Sequence, residues 1–323
     1  MNSNSYVDFF RQTSPYIHSH RGKTFVIALD GDTVAHANFH RTIHDIALLQ
    51  SLGIQIVLVH GGRPQIEQRI AESGAEAVFH RQLRITDTAT MQCVKQALGS
   101  TRWQIESELS MGLPNSPMHG AHISVMGGNF VTAKPMGVRD GVDYQHTGEV
   151  RSIDRDAIHT QLQAGNLVLI SAIGFSATGE TFNLSYQEVA AKTAIAVNAE
   201  KLILVTEASG IIESGELLRS LSVPKAQELL EQCHDTEQNR LLETAHYACS
   251  QGVDRVHLVS CATDGALLTE LFTRDGCGTL IMQDHSEVIR PAVIDDVGGI
   301  LDLIRPLEEQ QILVKRSREL LEN

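Results

Sequence analysis

The chain has 323 residues, of which 42% are hydrophobic and 20% charged, so it can bury a full core and form more than one domain. Its formal net charge of −13 would repel a phosphodiester backbone, and no concentrated lysine and arginine stripe offsets this, which excludes nucleic acid as the expected partner. Because no apolar run is long enough to span a bilayer and the N-terminus lacks the layout of a signal peptide, we expect a cytoplasmic protein without membrane association.

The first predicted element is a short helix within residues 6–20. Its apolar residues Tyr6, Val7 and Phe10 fall on one face. An added helix of this kind has no obvious surface to pack on within a doubly wound sheet. We therefore expect a partner subunit to bury it, and we assign residues 1–20 to an oligomerisation helix.

An anion-binding βαβ unit follows. The apolar runs 25–29 and 54–59 predict parallel strands, and the spacing of apolar residues between them predicts a helix. Gly31 follows the first strand, and Gly61 and Gly62 follow the second. Glycine turns at the carboxyl ends of neighbouring parallel strands are where open α/β sheets bind ligands, because backbone N–H groups can approach an anion there. Neither turn contains a lysine.

Strands and helices alternate from there to about residue 283. This pattern predicts an α/β fold, a three-layer αβα sandwich with a mainly parallel central sheet, over residues 21–284. Short glycine-punctuated runs between 121 and 150 predict an antiparallel ribbon, and residues 86–99 predict a helix capped by Thr86 or Asp87. The pattern of residues 285–323 predicts a strand and a helix. These residues are too few to form a core of their own, so they indicate the incomplete start of another domain.

Metal and cofactor binding are not predicted. The five cysteines include no CxxC pair, and none of the 15 histidines belongs to an HExxH motif. His18 and His20 form one HxH pair that has no carboxylate or cysteine close by in sequence.

Together, several motifs resemble the amino acid kinase family and, within it, the bacterial N-acetylglutamate synthases. The resemblance rests on segments spread over nearly the whole chain: His20-Arg-Gly-Lys-Thr24, Arg84-Ile-Thr-Asp87, Asp264-Gly-Ala-Leu-Leu268, Arg274-Asp-Gly276 and Ile289-Arg-Pro-Ala292. It implies an enzyme of arginine biosynthesis that converts acetyl-CoA and L-glutamate to N-acetyl-L-glutamate and CoA. It also implies that residues 285–323 begin a GNAT acetyltransferase domain, so that this chain holds no catalytic residue and is inactive alone.

The resemblance also indicates why phosphoryl transfer is not expected. Active kinases of the family carry a lysine before the glycines of the first turn, whereas residues 28–31 read Ala-Leu-Asp-Gly, and the second lysine is missing from 239–243. Arg84 and Asn183 match the kinases' substrate contacts, although Ser185 replaces an aspartate. We therefore interpret a set of five residues as a vestigial kinase substrate site, kept for structure or for remnant binding: Gly31, Gly61, Gly62, Arg84 and Asn183.

The synthases are inhibited by L-arginine, and their arginine site has counterparts here. The matching residues are Tyr16, Lys201, Glu270, Gly276 and Gly278. A guanidinium prefers carboxylate partners and an aromatic or carbonyl wall. The alternatives are that Glu270 is a solvated helix residue, that both glycines form a plain turn, and that Tyr16 only closes a helix.

Three functions remain open at this point. The chain is the arginine-binding regulatory part of a synthase that assembles into a hexamer through its N-terminal helix, an active N-acetylglutamate kinase with relocated cations, or an assembly module without a small-molecule site. The resemblance favours the first.

Overall fold

A computed structural model describes residues 3–112, 118–232 and 236–283 and, beyond them, only Ile304 and Glu308. Contacts divide the chain into two compact units, Met1–Asp284 and His285–Asn323. The architecture given below is that of the first unit. The strand and helix expected over 288–304 lie outside the described residues, apart from Ile304.

The first unit alternates helices with strands along most of its length. The helices are α1 Ser3–His20, α2 Gly31–Ala35, α3 Phe39–Ser51, α4 Arg63–Glu72, α5 Thr88–Leu109, α6 Arg155–Gln163, α7 Tyr186–Ala196, α8 Val223–Gln232, α9 Thr236–Ser250 and α10 Ala266–Phe272. The strands are β1 Thr24–Leu29, β2 Gln55–His60, β3 Val78–His80, β4 Leu83–Ile85, β5 Val125–Gly127, β6 Val131–Pro135, β7 Val138–Arg139, β8 Val142–Asp143, β9 Gly148–Ile153, β10 Leu167–Ser171, β11 Ile173–Phe175, β12 Thr181–Asn183, β13 Lys201–Thr206, β14 Ile212–Glu213, β15 Glu216–Leu217, β16 Ser220–Ser222, β17 Arg255–Ser260 and β18 Thr279–Met282.

The central sheet has eight strands in the order β16-β18-β17-β13-β1-β2-β10-β5, and only the β17–β18 pair is antiparallel. Successive residues of β1 point to opposite faces. Val26 and Ala28 pack beneath α6 to α9, whereas Phe25, Ile27 and Leu29 pack beneath α3, α5 and α10. The expected αβα sandwich with a mainly parallel sheet is therefore confirmed.

The amino-terminal helix does find a surface on its own sheet, contrary to expectation. Tyr16 and Ile17 pack against the core beside α10, and His20 Nε2 lies 3.0 Å from the Leu271 carbonyl oxygen. The sequence did not indicate this because α10 is about 250 residues away along the chain. Val7, near the other end of α1, is 42% exposed, and its burial by a partner subunit stays a prediction.

The expected ribbon over 121–150 is only partly correct. β6 and β9 pair antiparallel in a second sheet of order β12-β11-β6-β9, but β5 joins the central sheet parallel to β10. A three-residue strand carries no local signal for a partner 40 residues away. Helix α5 also continues past Gly99, because Ile105 and Leu109 extend its buried face; Asp87 caps it, accepting a hydrogen bond from Thr90 N at 2.7 Å.

Two further observations concern the described residues only. No helix among them is long and apolar enough to span a bilayer. They also contain no group of three or more His, Cys, Asp and Glu side chains placed to hold a metal ion.

Candidate functional site

Glu270, on α10, is a buried carboxylate that accepts three hydrogen bonds. Its Oε1 accepts one from His257 Nδ1 at 2.7 Å, and its Oε2 accepts one from the backbone N–H of Cys277 at 2.7 Å and one from that of Gly278 at 2.8 Å. Burial alone would raise the pKa of Glu270, but these hydrogen bonds outweigh it and lower the pKa to about 2. Glu270 is therefore a buried carboxylate that is charged at neutral pH, and not a solvated helix residue.

Two glycines allow the loop after α10 to close on this carboxylate. Gly276 has a φ of +60°, and a Cβ atom there would lie 2.5 Å from Glu270 Oε2. At Gly278 a Cβ would lie 1.9 Å from the Leu258 carbonyl oxygen, a backbone atom that cannot move aside cheaply. The close approach of two backbone N–H groups to Glu270 therefore requires glycine at these positions.

His257 connects Glu270 to a buried cation. With Nδ1–H donated to Glu270, His257 Nε2 accepts from Lys201 Nζ at 3.5 Å. Burial lowers the pKa of His257, so the imidazole stays neutral, and burial followed by the charge of Arg255 lowers the pKa of Lys201 to about 8. Among the described residues no carboxylate lies within salt-bridge distance of Lys201. An anion and a cation are thus buried together and separated by a neutral ring.

Aromatic rings close the cluster on the side of α1. Lys201 Nζ lies 5.8 Å from the centre of the Phe25 ring, and His20 meets Phe25 and Phe272 edge-on, with ring centres 5.3 and 5.7 Å apart. His20 Nδ1 is buried without a hydrogen-bond partner. The Tyr16 ring lies 6.5 Å from that of His20. The structure thus brings all five residues proposed for arginine binding into one region.

Sequence reasoning missed His257 and His20, which connect these five residues. His257 stands in β17 with its side chain on the same face as Arg255, and Lys201 is the register partner of Arg255 in β13. A polar residue within the apolar run 256–260 was the available signal. His20 belongs to an HxH pair and to the segment His20-Arg-Gly-Lys-Thr24, but neither pattern predicts its contact with this cluster.

The glycine turns lie at the opposite, carboxyl ends of the strands. A Cβ at Gly31 would lie 2.5 Å from Pro64 Cδ, one at Gly61 would lie 3.0 Å from the Tyr186 ring, and one at Gly62 would lie 2.7 Å from Leu98. Side chains therefore occupy the space beside these glycines.

Asp30 is the buried charge of this region. It caps α2 by accepting a hydrogen bond from Thr33 N at 2.6 Å, yet burial raises its pKa to about 6. Burial, followed by the charge of Glu207, also raises the pKa of the neighbouring Asp32. Two acidic side chains with raised pKa values disfavour a triphosphate here, because an approaching anion would further raise the free energy needed to ionise them.

Arg84 and Asn183 lie in the same region and are joined through two threonines. Thr86 Oγ1 accepts hydrogen bonds from Asn183 Nδ2 at 3.1 Å and from Thr147 Oγ1 at 2.9 Å, and Thr147 also contacts the Arg84 carbonyl. The Arg84 guanidinium stacks on Phe79, and its Nη2 donates to Glu67. Its Nη1 is buried without a partner. Arg84 and Asn183 are therefore linked by hydrogen bonds, but the binding of a ligand at this vestigial site stays a prediction.

Comparison with known sequences places the chain in a family. The pattern of the Amino acid kinase family matches residues 23–260. The amino-acid acetyltransferase of Azotobacter vinelandii is 54% identical over 98% of this chain and 74% of its own length, and that of Pseudomonas syringae pv. tomato is 52% identical over the same shares. These alignments include most of the segment after Asp284.

Comparison of structures agrees. N-acetylglutamate synthase from Neisseria gonorrhoeae, complexed with coenzyme A and L-arginine, is 39% identical with a TM-score of 0.85, over 98% of this chain and 74% of that one. The same enzyme with coenzyme A and N-acetyl-glutamate gives a TM-score of 0.80. Carbamate kinase from Giardia lamblia, 15% identical over 81% of this chain and 99% of that one with a TM-score of 0.58, shares the fold alone. The chain belongs to the amino acid kinase family and, within it, to the amino-acid acetyltransferases, the acyltransferases represented by N-acetylglutamate synthase.

Proposed function

We propose that this chain is the kinase-like regulatory part of an N-acetylglutamate synthase and that it binds the feedback inhibitor L-arginine at Glu270. The parent reaction converts acetyl-CoA and L-glutamate to N-acetyl-L-glutamate and CoA. The observation that carries the arginine proposal is the buried pair of opposite charges, Glu270 and Lys201, held apart by the neutral His257. The Neisseria relative, which is complexed with L-arginine, supports it.

The charges of the cluster suit the two ends of an arginine molecule. Glu270 Oε1 accepts one hydrogen bond and Oε2 two, so one carboxylate lone pair is left for a guanidinium N–H. Lys201 has a depressed pKa and, within the described part of the chain, no carboxylate at salt-bridge distance, so a ligand carboxylate would stabilise its charged form. His20 Nδ1, buried without a partner, provides one more polar contact for a ligand that enters between α1 and α10.

The glycine turns favour a regulatory part over a kinase. Active phosphoryl transfer needs fixed cations around the γ-phosphate, and the first turn supplies Asp30 and Asp32 instead. Packing of Pro64 and Gln65 against Gly31 fills space beside that turn. We therefore infer that residues of the kinase site persist without nucleotide turnover.

The arginine proposal is tested by calorimetric titration of the whole chain with L-arginine, L-citrulline and Mg-ATP plus N-acetylglutamate. Citrulline has the shape of arginine without its charge, so it should bind at least about 100-fold more weakly, because a buried anion is left unpaired. The variant Glu270→Gln should lose arginine binding, and the exposed Glu228→Gln should keep it.

Each other outcome has a definite meaning. Equal binding of citrulline and arginine would contradict recognition by charge. Heat from Mg-ATP with release of ADP would restore the kinase alternative, and silence from every ligand would leave an assembly module.

Three finer features extend the proposal. We infer that the parent protein carries a GNAT acetyltransferase domain beyond residue 284, acts in the cytoplasm and forms a hexamer through α1. The exposed Val7 on α1 supports a contact there. Sedimentation of the chain with and without residues 1–14 tests the hexamer, which should dissociate in the shortened form.

A further inference from the structure

A cavity of about 240 Å³ lies well away from Glu270, between α5, the carboxyl end of β10 and strand β11. Its wall consists of Arg102, Gly128, Asn129, Val131, Leu169, Ile170, Ser171, Ile173 and Phe175. Ser171 ends β10, and its neighbour His60 ends β2, so the cavity opens where parallel strands of this sheet finish. Such edges are the usual ligand positions of open α/β sheets.

Ser171 presents a hydrogen-bond acceptor to the cavity. His60 Nδ1 contacts the Gly61 carbonyl at 2.9 Å, which places the imidazole proton on Nδ1 and leaves Nε2 as an acceptor. Ser171 Oγ, 2.7 Å from Nε2, therefore donates its proton to His60. Burial lowers the pKa of His60 to about 4, so this arrangement persists at neutral pH. The lone pairs of Ser171 Oγ remain for a ligand that carries its own donor.

Arg102 presents free donors to the same cavity. Its Nε donates to Glu106 at 2.7 Å, but among the described residues neither Nη1 nor Nη2 has a partner. The guanidinium lies against Gly127, where a Cβ atom would be 2.8 Å from Arg102 Cζ. Glycine at the edge of β5 thus makes room for the arginine. Two parallel N–H groups with no partner match a carboxylate in geometry.

The rest of the wall is mostly apolar and contains no carboxylate. Val131, Leu169, Ile173 and Phe175 would contact an aliphatic flank. Because the wall contains no carboxylate, a ligand ammonium group would have no counter-charge there. A neutral N–H or O–H donor is therefore the better partner for Ser171. A volume of about 240 Å³ suits a ligand of small-molecule size.

We propose that this cavity binds a small carboxylate that has an apolar flank and a neutral N–H or O–H donor, with Arg102 holding the carboxylate and Ser171 accepting from the donor. This class includes N-acylated apolar amino acids and 2-hydroxy acids. The site shares no residue with the Glu270 cluster, so it stands or falls independently of arginine binding.

The test titrates the whole chain with three matched compounds: N-acetyl-L-leucine, N-acetyl-L-leucinamide and 4-methylpentanoate. The second lacks the carboxylate, and the third lacks the N–H donor. We expect saturable binding of the first and binding at least about tenfold weaker for each of the others, because each lacks one of the two hydrogen-bonding groups that the site recognises. Equal binding of all three, or no saturable binding of the first at millimolar concentration, would overturn the proposal.

Two variants assign the binding to this cavity. Arg102→Gln and Ser171→Ala should each weaken the binding of N-acetyl-L-leucine at least about tenfold. Neither substitution should change the binding of L-arginine. Arg69→Gln is the matched control, because Arg69 forms a similar pair with Glu72 on α4. Binding that survives Arg102→Gln would contradict the proposal. A changed sedimentation coefficient of Arg102→Gln, with no ligand binding to either protein, would identify the cavity as a contact between copies of the chain and would also overturn it.

Discussion

Two buried carboxylates lie near opposite ends of the parallel strands, and they differ in their hydrogen bonds and in their pKa values. Glu270, with its neighbour Lys201 at the amino end of β13, accepts three hydrogen bonds and has a pKa of about 2. Asp30, just past the carboxyl end of β1, accepts one from Thr33 N, and burial raises its pKa to about 6. Both carboxylates are buried, at 8% and 7% exposure, and the larger number of hydrogen bonds to Glu270 favours its ionised form.

This difference indicates what each edge of the sheet can do. A carboxylate that stays charged in a dry site attracts a cationic ligand, whereas an acidic side chain beside the glycine turns supplies no positive charge to a phosphate. The two regions lie roughly 20 Å apart along a six-residue strand at 3.3 Å per residue. A ligand at one edge therefore touches no residue of the other.

The largest effect is expected from Gly278→Ala. Its Cβ would lie 1.9 Å from the Leu258 carbonyl oxygen, so the loop must move off Glu270 and remove two of its three donors. We expect a loss of about 3 kcal/mol in the free energy of unfolding and the loss of arginine binding, measured by urea denaturation and calorimetry.

Gly99→Ala is the matched control for that substitution. Gly99 lies inside α5, and a Cβ there would meet nothing within 4 Å. Alanine in a helix interior should therefore stabilise the protein by about 0.5–1 kcal/mol. If both variants behaved alike, the close approach at Gly278 would not be what holds the loop.

A smaller effect is expected from Glu270→Gln, and it depends on pH. The pKa of Glu270 is depressed in the folded state, so its contribution is present above about pH 4.5 and is lost as the pH falls towards 2. We expect the free energy of unfolding of the wild type to exceed that of the variant by on the order of 2 kcal/mol at pH 7. The two values should converge at acid pH, as measured by urea denaturation. A constant difference from pH 7 to 2 would show that Glu270 is not the titrating group.

The smallest effect, of opposite sign, is expected from Asp30→Asn. The folded-state pKa of Asp30 is raised, so its contribution is fully present below about pH 4 and is lost as the pH rises through about 6. Asparagine retains the capping acceptor without the charge, and the variant should be more stable by about 1 kcal/mol at pH 8 and equal to wild type at pH 4. Asp154→Asn, at the exposed cap of α6, is the control. If Asp30→Asn instead destabilised the protein at pH 8, burial would not be raising the pKa of Asp30.

Sequence patterns identify two neighbouring strands of the central sheet, because residues 25–29 and 54–59 are continuous apolar runs that end in glycine turns. The structure has β1 and β2 at these places. The pairing of β5 with β10 and the docking of α1 on α10 were not predictable, because both depend on partners far along the chain. Local periodicity carries no information about such contacts.

The site divides in the same way. Tyr16, Lys201, Glu270 and the two glycines were named through resemblance, and the structure places them together. His257 lay inside a strand whose neighbours are apolar, so its role as the hydrogen-bond partner of Glu270 required the register between β13 and β17.

The loop that closes on Glu270 also carries a chemical reporter. Cys277 donates its backbone N–H to Glu270 and its thiol to the Ala266 carbonyl, with Sγ 3.2 Å from that oxygen. Burial, followed by the charge of Glu270, raises the pKa of this thiol, so the closed loop keeps it protonated and slow to react. Opening the loop breaks both contacts at once. The rate of thiol modification at Cys277 therefore measures how often the loop opens, and a ligand that holds the loop closed slows that reaction without any change in the overall fold.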